Sequence, residues 1–154
     1  MKLEIYSRNA ILERMQRQGL DARVAVISFY TPRGLRDCEE RRVDFSKTDA
    51  RVFYVGIPDI DRELLADFGY STENPYLAEV DALAEFIYRA RADHLDIICQ
   101  CDYGQSRSAA CAAAILQHFA RRGIEVFVDY RYYPNQLVYH KIFDALQKKG
   151  RKKA

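Results

Sequence analysis

A chain of 154 residues with 49% hydrophobic and 30% charged side chains has the make-up of one globular domain rather than a disordered segment. Its 24 Lys and Arg against 22 Asp and Glu leave a net charge of +2, so the overall balance gives no reason to expect a nucleic-acid partner. Four cysteines are too few for a disulfide scaffold, no apolar run approaches the roughly 20 residues of a membrane span, and residues 1–9 lack the apolar stretch of a secretory leader, so a reducing, cytoplasmic compartment is the expectation.

In chain order, residues 2–6 read as a short strand. Ser7 then caps a helix running to Gln18, with Gly19 as its stop. Residues 24–29 (VAVISF) are apolar and rich in β-branched side chains, as a buried parallel strand requires. Thr31-Pro32-Arg33-Gly34 breaks the chain, and residues 52–57 (VFYVGI) form a second buried strand. Residues 59–71 are acidic and loop-like. Asn74-Pro75 opens a long helix whose apolar positions, Leu77, Val80, Leu83, Ala84 and Ile87, fall three and four apart. Residues 95–99 (LDIIC) are a third buried strand, residues 108–122 an Ala-rich helix stopped by Gly123, and residues 124–128 a further short apolar run. The last helix spans residues 134–149, and the basic residues 148–154 read as a solvated tail beyond a domain of residues 1–147. Strands alternating with helices imply an α/β domain with a mainly parallel central sheet of about four to five strands and helices on both faces. Ligands of such sheets bind beyond the carboxyl ends of the strands.

The stretch that carries chemistry is Cys101-Asp102-Tyr103-Gly104-Gln105-Ser106-Arg107-Ser108. It joins a predicted buried strand to a predicted helix, and a thiol at that junction sits at the positive end of the helix dipole, which favours the nucleophilic thiolate. The five residues from Asp102 to Ser106 are enough to curl into a nest of inward-facing backbone N–H groups. Gly104, midway, allows the dihedrals such a loop needs. Arg107 returns to the base of the loop, where its guanidinium can hold two oxygens of a tetrahedral anion. Thiolate, nest and guanidinium together describe a site for attack on a phosphate ester. On this reading Asp102, Tyr103, Gly104, Gln105, Ser106 and Arg107 bind the phosphate.

Cys101-x-x-Gly104-x-x-Arg107-Ser108 resembles the signature loop of the cysteine-dependent protein-tyrosine phosphatase superfamily, and within it the compact bacterial tyrosine/dual-specificity-like branch. Four other segments share the resemblance: Ser7-Arg8-Asn9-Ala10, Val26-Ile27-Ser28 with Pro32, Ile57-Pro58-Asp59-Ile60-Asp61, and Pro134-Asn135-Gln136-Leu137-Val138-Tyr139. The resemblance implies hydrolysis of a phosphorylated protein or small phosphoester without metal or other cofactor. Cys101 would become a phosphocysteine, Arg107 and the loop amides would hold the equatorial oxygens, and Ser108 would support the departing sulfur. It also implies a general acid on a separate loop. Pro58-Asp59 resembles the Trp-Pro-Asp acid loop of the larger tyrosine phosphatases, while Ile57-Pro58-x-x-Asp61 resembles the dual-specificity frame; Asp59 is preferred, although the spacing does not decide. Asn135 would brace the signature loop, cap the last helix, or do both. The side chain of Asp102 is expected to point away from the cradle.

Other features carry less. Cys99 and Cys111 read as buried thiols, and Cys38 lies in a polar stretch. His94, His118 and His140 lack metal-ligand spacing. Tyr130, Arg131, Tyr132 and Tyr133 read as half-buried packing, and Arg33, Arg36, Arg41 and Arg42 as a solvated basic loop. One departure from the resemblance matters: Gln100 stands where the family usually has His before the nucleophile. An amide carries no charge and lends the thiolate less support. Activity is therefore predicted to rise at higher pH than in such relatives, or to be slower; the pH dependence of Cys101 alkylation measures this, and rapid alkylation at acidic pH would contradict it.

Overall fold

The computed structural model describes residues 2–34 and 41–153; Arg36 and Cys38 lie outside them. The described elements, in chain order, are β1 (Leu3–Tyr6), α1 (Arg8–Arg17), β2 (Val24–Tyr30), β3 (Arg51–Gly56), a 3-10 turn (Arg62–Leu64), α2 (Val80–Ala92), β4 (Asp96–Gln100), α3 (Arg107–Ala120), α4 (Ile124–Phe127) and α5 (Gln136–Lys153). The four strands pair in parallel in the order β1-β4-β2-β3. Among the described residues, no helix is long and apolar enough to cross a membrane.

Strand alternation explains why both faces are covered. Ala25, Ile27, Phe29, Ile97 and Cys99 project to one face and pack with α2, α3 and α5. Val24, Val26 and Ile98 project to the other, where Ile11 of α1 joins Val43 and Phe45. The Ala-rich composition of α3 has a packing cause. Ala109, Ala110, Ala112, Ala113 and Ala114 are all buried, and small side chains let the helix lie close to the sheet, α4 and α5 at once.

Parallel pairing brings four carboxyl ends to one edge. Tyr6 and Ser28 lie opposite Gln100 in register, and Tyr30 lies opposite Gly56. The residues that follow each strand therefore converge: Ser7, Thr31, Ile57 and Cys101. Ser7 also caps α1, its Oγ accepting from the Ala10 amide at 3.1 Å. Gly104 lies directly against this junction. It has φ +68°, and a Cβ there would stand 2.6 Å from the Ser7 nitrogen and 2.9 Å from the Tyr6 carbonyl carbon.

Several boundaries differ from the sequence reading, each for a local reason. The helix expected from Asn74-Pro75 begins only at Val80, because Leu77 takes φ 56° and cannot start it; Tyr76 and Leu77 are instead buried beneath the turn. The short apolar run at 124–128 is the single helical turn α4 (Ile124–Phe127) with Val128 as its cap, and it places Ile124 and Val128 in solvent while Val126 packs on α3. Helix α3 is stopped by Arg121 in the left-handed region, φ 56°, rather than by Gly123, which precedes α4 with ordinary dihedrals. The basic end continues α5 through Lys153 rather than fraying, with Lys148 paired to Asp81 at 3.5 Å and Lys149 to Glu85.

Two substitutions test these backbone assignments. Arg121→Gly should stabilise the protein by about 0.5–1 kcal/mol, because the left-handed cap costs a side chain that much. Gly104→Ala should destabilise it by about 1–3 kcal/mol, since backbone cannot yield to the new methyl group. Urea unfolding midpoints measure both, and a neutral Gly104→Ala would contradict the close approach.

Candidate active site

Cys101 follows β4 and is 2% exposed. Its Sγ lies 3.0 Å from Ser108 Oγ, at the second residue of α3. The amide of Cys101 donates to the Tyr6 carbonyl at 3.3 Å, so β1 positions the nucleophile from one side. From the other side, Ser28 Oγ donates to Gln100 Oε1 at 2.5 Å, and Gln100 Nε2 donates to the Cys101 carbonyl at 3.0 Å. The Gln100 amide is thus committed to the backbone at Cys101.

Carbonyls of the loop are held by groups outside it. The Asp102 carbonyl accepts from the Arg8 amide at 3.0 Å, and the Gln105 carbonyl from the Tyr133 amide at 2.8 Å. The Ser106 carbonyl accepts from the Ala110 and Asn135 amides at 2.9 and 3.2 Å. A planar trans peptide points its N–H opposite its C=O. The amides of Asp102, Tyr103, Ser106 and Arg107 therefore face away from these partners.

Arg107 opens α3 with its side chain buried; the residue is 4% exposed. Its Nη1 donates to the Ile57 carbonyl at 2.6 Å and to Thr31 Oγ1 at 3.1 Å. Its Nη2 lies 3.7 Å from Asp102 Oδ2, and its Nε is buried without a hydrogen-bond partner among the described residues. Asp102 thus leans toward the guanidinium, against the expectation that it would point away. A fixed carbonyl and a facing cation together turn it inward.

Asp59 is exposed, yet its Oδ1 accepts from Ser106 Oγ and from Asn135 Nδ2, each at 2.8 Å. The Ile57–Ile60 segment is steadied from below, where Tyr76 donates its hydroxyl to the Pro58 carbonyl at 2.7 Å. Burial pushes that phenol well above its usual titration range, so it stays a donor. Asp61 instead precedes the 3-10 turn and makes no side-chain capping bond. Asn135 caps α5, its Oδ1 accepting from Val138 N at 3.0 Å, but its Nδ2 donates to Asp59 Oδ1 and the Ile60 carbonyl rather than to the signature loop, which it meets only through its backbone amide at the Ser106 carbonyl.

Sequence reasoning did not assign Thr31 or Ser28 to the site. Thr31 looked like part of a chain break, but its position one residue beyond β2 at the common edge was a usable signal. Ser28 was also detectable, as the polar residue inside an otherwise apolar buried strand. Cys99 is directed to α3, where a hydrogen bond with Cys111, then burial, raises its thiol well above the usual range. Tyr103, Tyr130 and Tyr133 are largely exposed; the last two correct the half-buried packing expected for them.

No protein-family model and no curated protein matches the chain. Solved structures match it over nearly its whole length. PTPMT1 in complex with PI(5)P is similar at a TM-score of 0.57 and 13% identity, over 99% of this chain and 95% of that one. Tk-PTP in its active form gives 0.55 and 15% identity, over 97% and 93%. A variant of human DUSP28 gives 0.52 and 16% identity, over 97% and 91%. With its four-stranded parallel sheet and flanking helices, the chain has the fold of the cysteine-based protein-tyrosine and dual-specificity phosphatases.

Proposed function

We propose that the chain is a phosphomonoester hydrolase of the protein-tyrosine/dual-specificity type, acting through a phosphocysteine on Cys101 and needing no metal. The observation that carries this reading is the edge of Arg107: a buried guanidinium on the residue before Ser108, which touches the Cys101 sulfur, with Nη1 anchored to protein and Nε without a partner among the described residues. A buried donor without an acceptor is costly, and a tetrahedral oxyanion supplies the missing acceptor. The amides turned away from their outer partners would converge on the same anion.

Cys101 Sγ attacks phosphorus and the P–O bond to the leaving group breaks. Asp59 would supply the proton to the departing oxygen; the hydrogen bonds from Ser106 and Asn135 fall on Oδ1, which leaves Oδ2 for that proton. Asp59 then takes a proton from water, which attacks phosphorus and releases phosphate. Ser108 Oγ, 3.0 Å from the sulfur, donates to it as the S–P bond breaks. Residues 1–147 would form the catalytic domain, with the basic end an extension of it. Free thiols at Cys99, Cys101 and Cys111 suit a cytoplasmic setting.

Substrates to test are a phosphotyrosine peptide, p-nitrophenyl phosphate and, because PTPMT1 was solved with PI(5)P, a phosphoinositide. Release of phosphate should be abolished by Cys101→Ser. Asp59→Asn should lower kcat about 100-fold or more on esters with poor leaving groups and far less on p-nitrophenyl phosphate. Asp61→Asn should leave both near wild type. Phosphate binding without turnover by the wild type would make the chain a binding module instead, and an undiminished Asp59→Asn would remove Asp59 as the acid.

A further inference from the structure

A carboxylate set against the cation of an anion site is electrostatically misplaced, and Asp102 is such a group. Its side chain is only 17% exposed, and its Oδ2 stands 3.7 Å from Arg107 Nη2. Its backbone cannot drift, because its carbonyl holds the Arg8 amide at 3.0 Å. Arg107 cannot turn to avoid it either, because Nη1 is tied to the Ile57 carbonyl and Thr31. The edge left for a ligand consists of Nε and Nη2, and Asp102 faces Nη2. The neighbouring acid, Asp59, is engaged elsewhere with Ser106 and Asn135.

We propose that Asp102 is an intramolecular placeholder for the phosphate: in the empty site its carboxylate balances the charge of Arg107, and an arriving phosphoryl group displaces it from Nη2. The proposal rests on the phosphohydrolase reading and deepens it. Removing a buried cation's counter-charge destabilises the empty site. The same carboxylate opposes a dianion in a region where water screens poorly. Asp102 therefore keeps the empty loop formed, weakens affinity for phosphate and ester alike, and speeds product release. A purely structural acid would do only the first.

The test compares wild type with Asp102→Asn, using inorganic phosphate at fixed ionic strength. Its dissociation constant is read from inhibition of p-nitrophenyl phosphate turnover and from protection of Cys101 against iodoacetamide. The variant should bind phosphate about tenfold more tightly, as removal of a close like charge predicts. KM should fall with it. The empty variant should melt earlier while phosphate stabilises it more. Unchanged or weaker phosphate binding in a folded variant that turns over substrate would overturn the placeholder alone. A wild type that neither binds phosphate nor turns over would overturn the phosphohydrolase reading with it. If Asp102→Asn does not fold, Asp102→Ser serves the same comparison, and a crystal of the wild type with phosphate decides independently. The carboxylate should have left Nη2 in that crystal, and an intact Asp102–Arg107 pair beside bound phosphate would contradict the proposal.

Discussion

The arrangement of this molecule depends on how one buried guanidinium is held. Arg107 enters the interior at the first residue of α3, and two hydrogen bonds from Nη1, to Ile57 and Thr31, fix its plane. Those acceptors lie just beyond β3 and β2, so the position of the cation is set by the register of the sheet. Any slip of β2 against β4 would carry Thr31 out of reach, because Ser28 and Gln100 share one rung and Thr31 follows three residues on. Fold and site are therefore coupled through geometry rather than through a flexible loop finding its own shape.

The loop around Arg107 is organised by what lies outside it. Helix α1 supplies the Arg8 amide, the segment before α5 supplies the amides of Tyr133 and Asn135, and Gln100 supplies its side chain. Each draws a carbonyl outward and leaves an amide facing the other way. Dipoles fixed in advance need no reorganisation when charge develops on a bound group, which is the physical basis of electrostatic stabilisation in such a site. Asp59 belongs to the same scaffold, since Ser106 and Asn135 reach it from the loop and from the start of α5.

Much of this was legible in the residues. Continuous apolar, β-branched runs at 24–29 and 95–99 pointed to the central strands, and the strand–loop–helix setting of Cys101 and Arg107 pointed to the candidate site. Asp59 and Asn135 were named from the family resemblance, although only tertiary structure brings their side chains together. What could not be read depended on backbone conformations outside the usual propensities: Leu77 in the left-handed region delays α2, and Arg121 ends α3 where glycine was expected. The inward turn of Asp102 was also hidden, because it follows from a carbonyl held by α1 and a cation held by two other strands. The apolar run at 124–128 was ambiguous in principle, being too short for periodicity to separate a strand from one helical turn.

The central claim is that the sulfur of Cys101 accepts a phosphoryl group, and the covalent intermediate is its most direct evidence. Rapid acid quench of turnover on p-nitrophenyl phosphate, followed by peptide mass analysis, should find phosphate bound to the peptide that contains Cys101 and none in Cys101→Ser. Sustained turnover with no phosphate on that peptide, or with phosphate on a different side chain, would contradict the account.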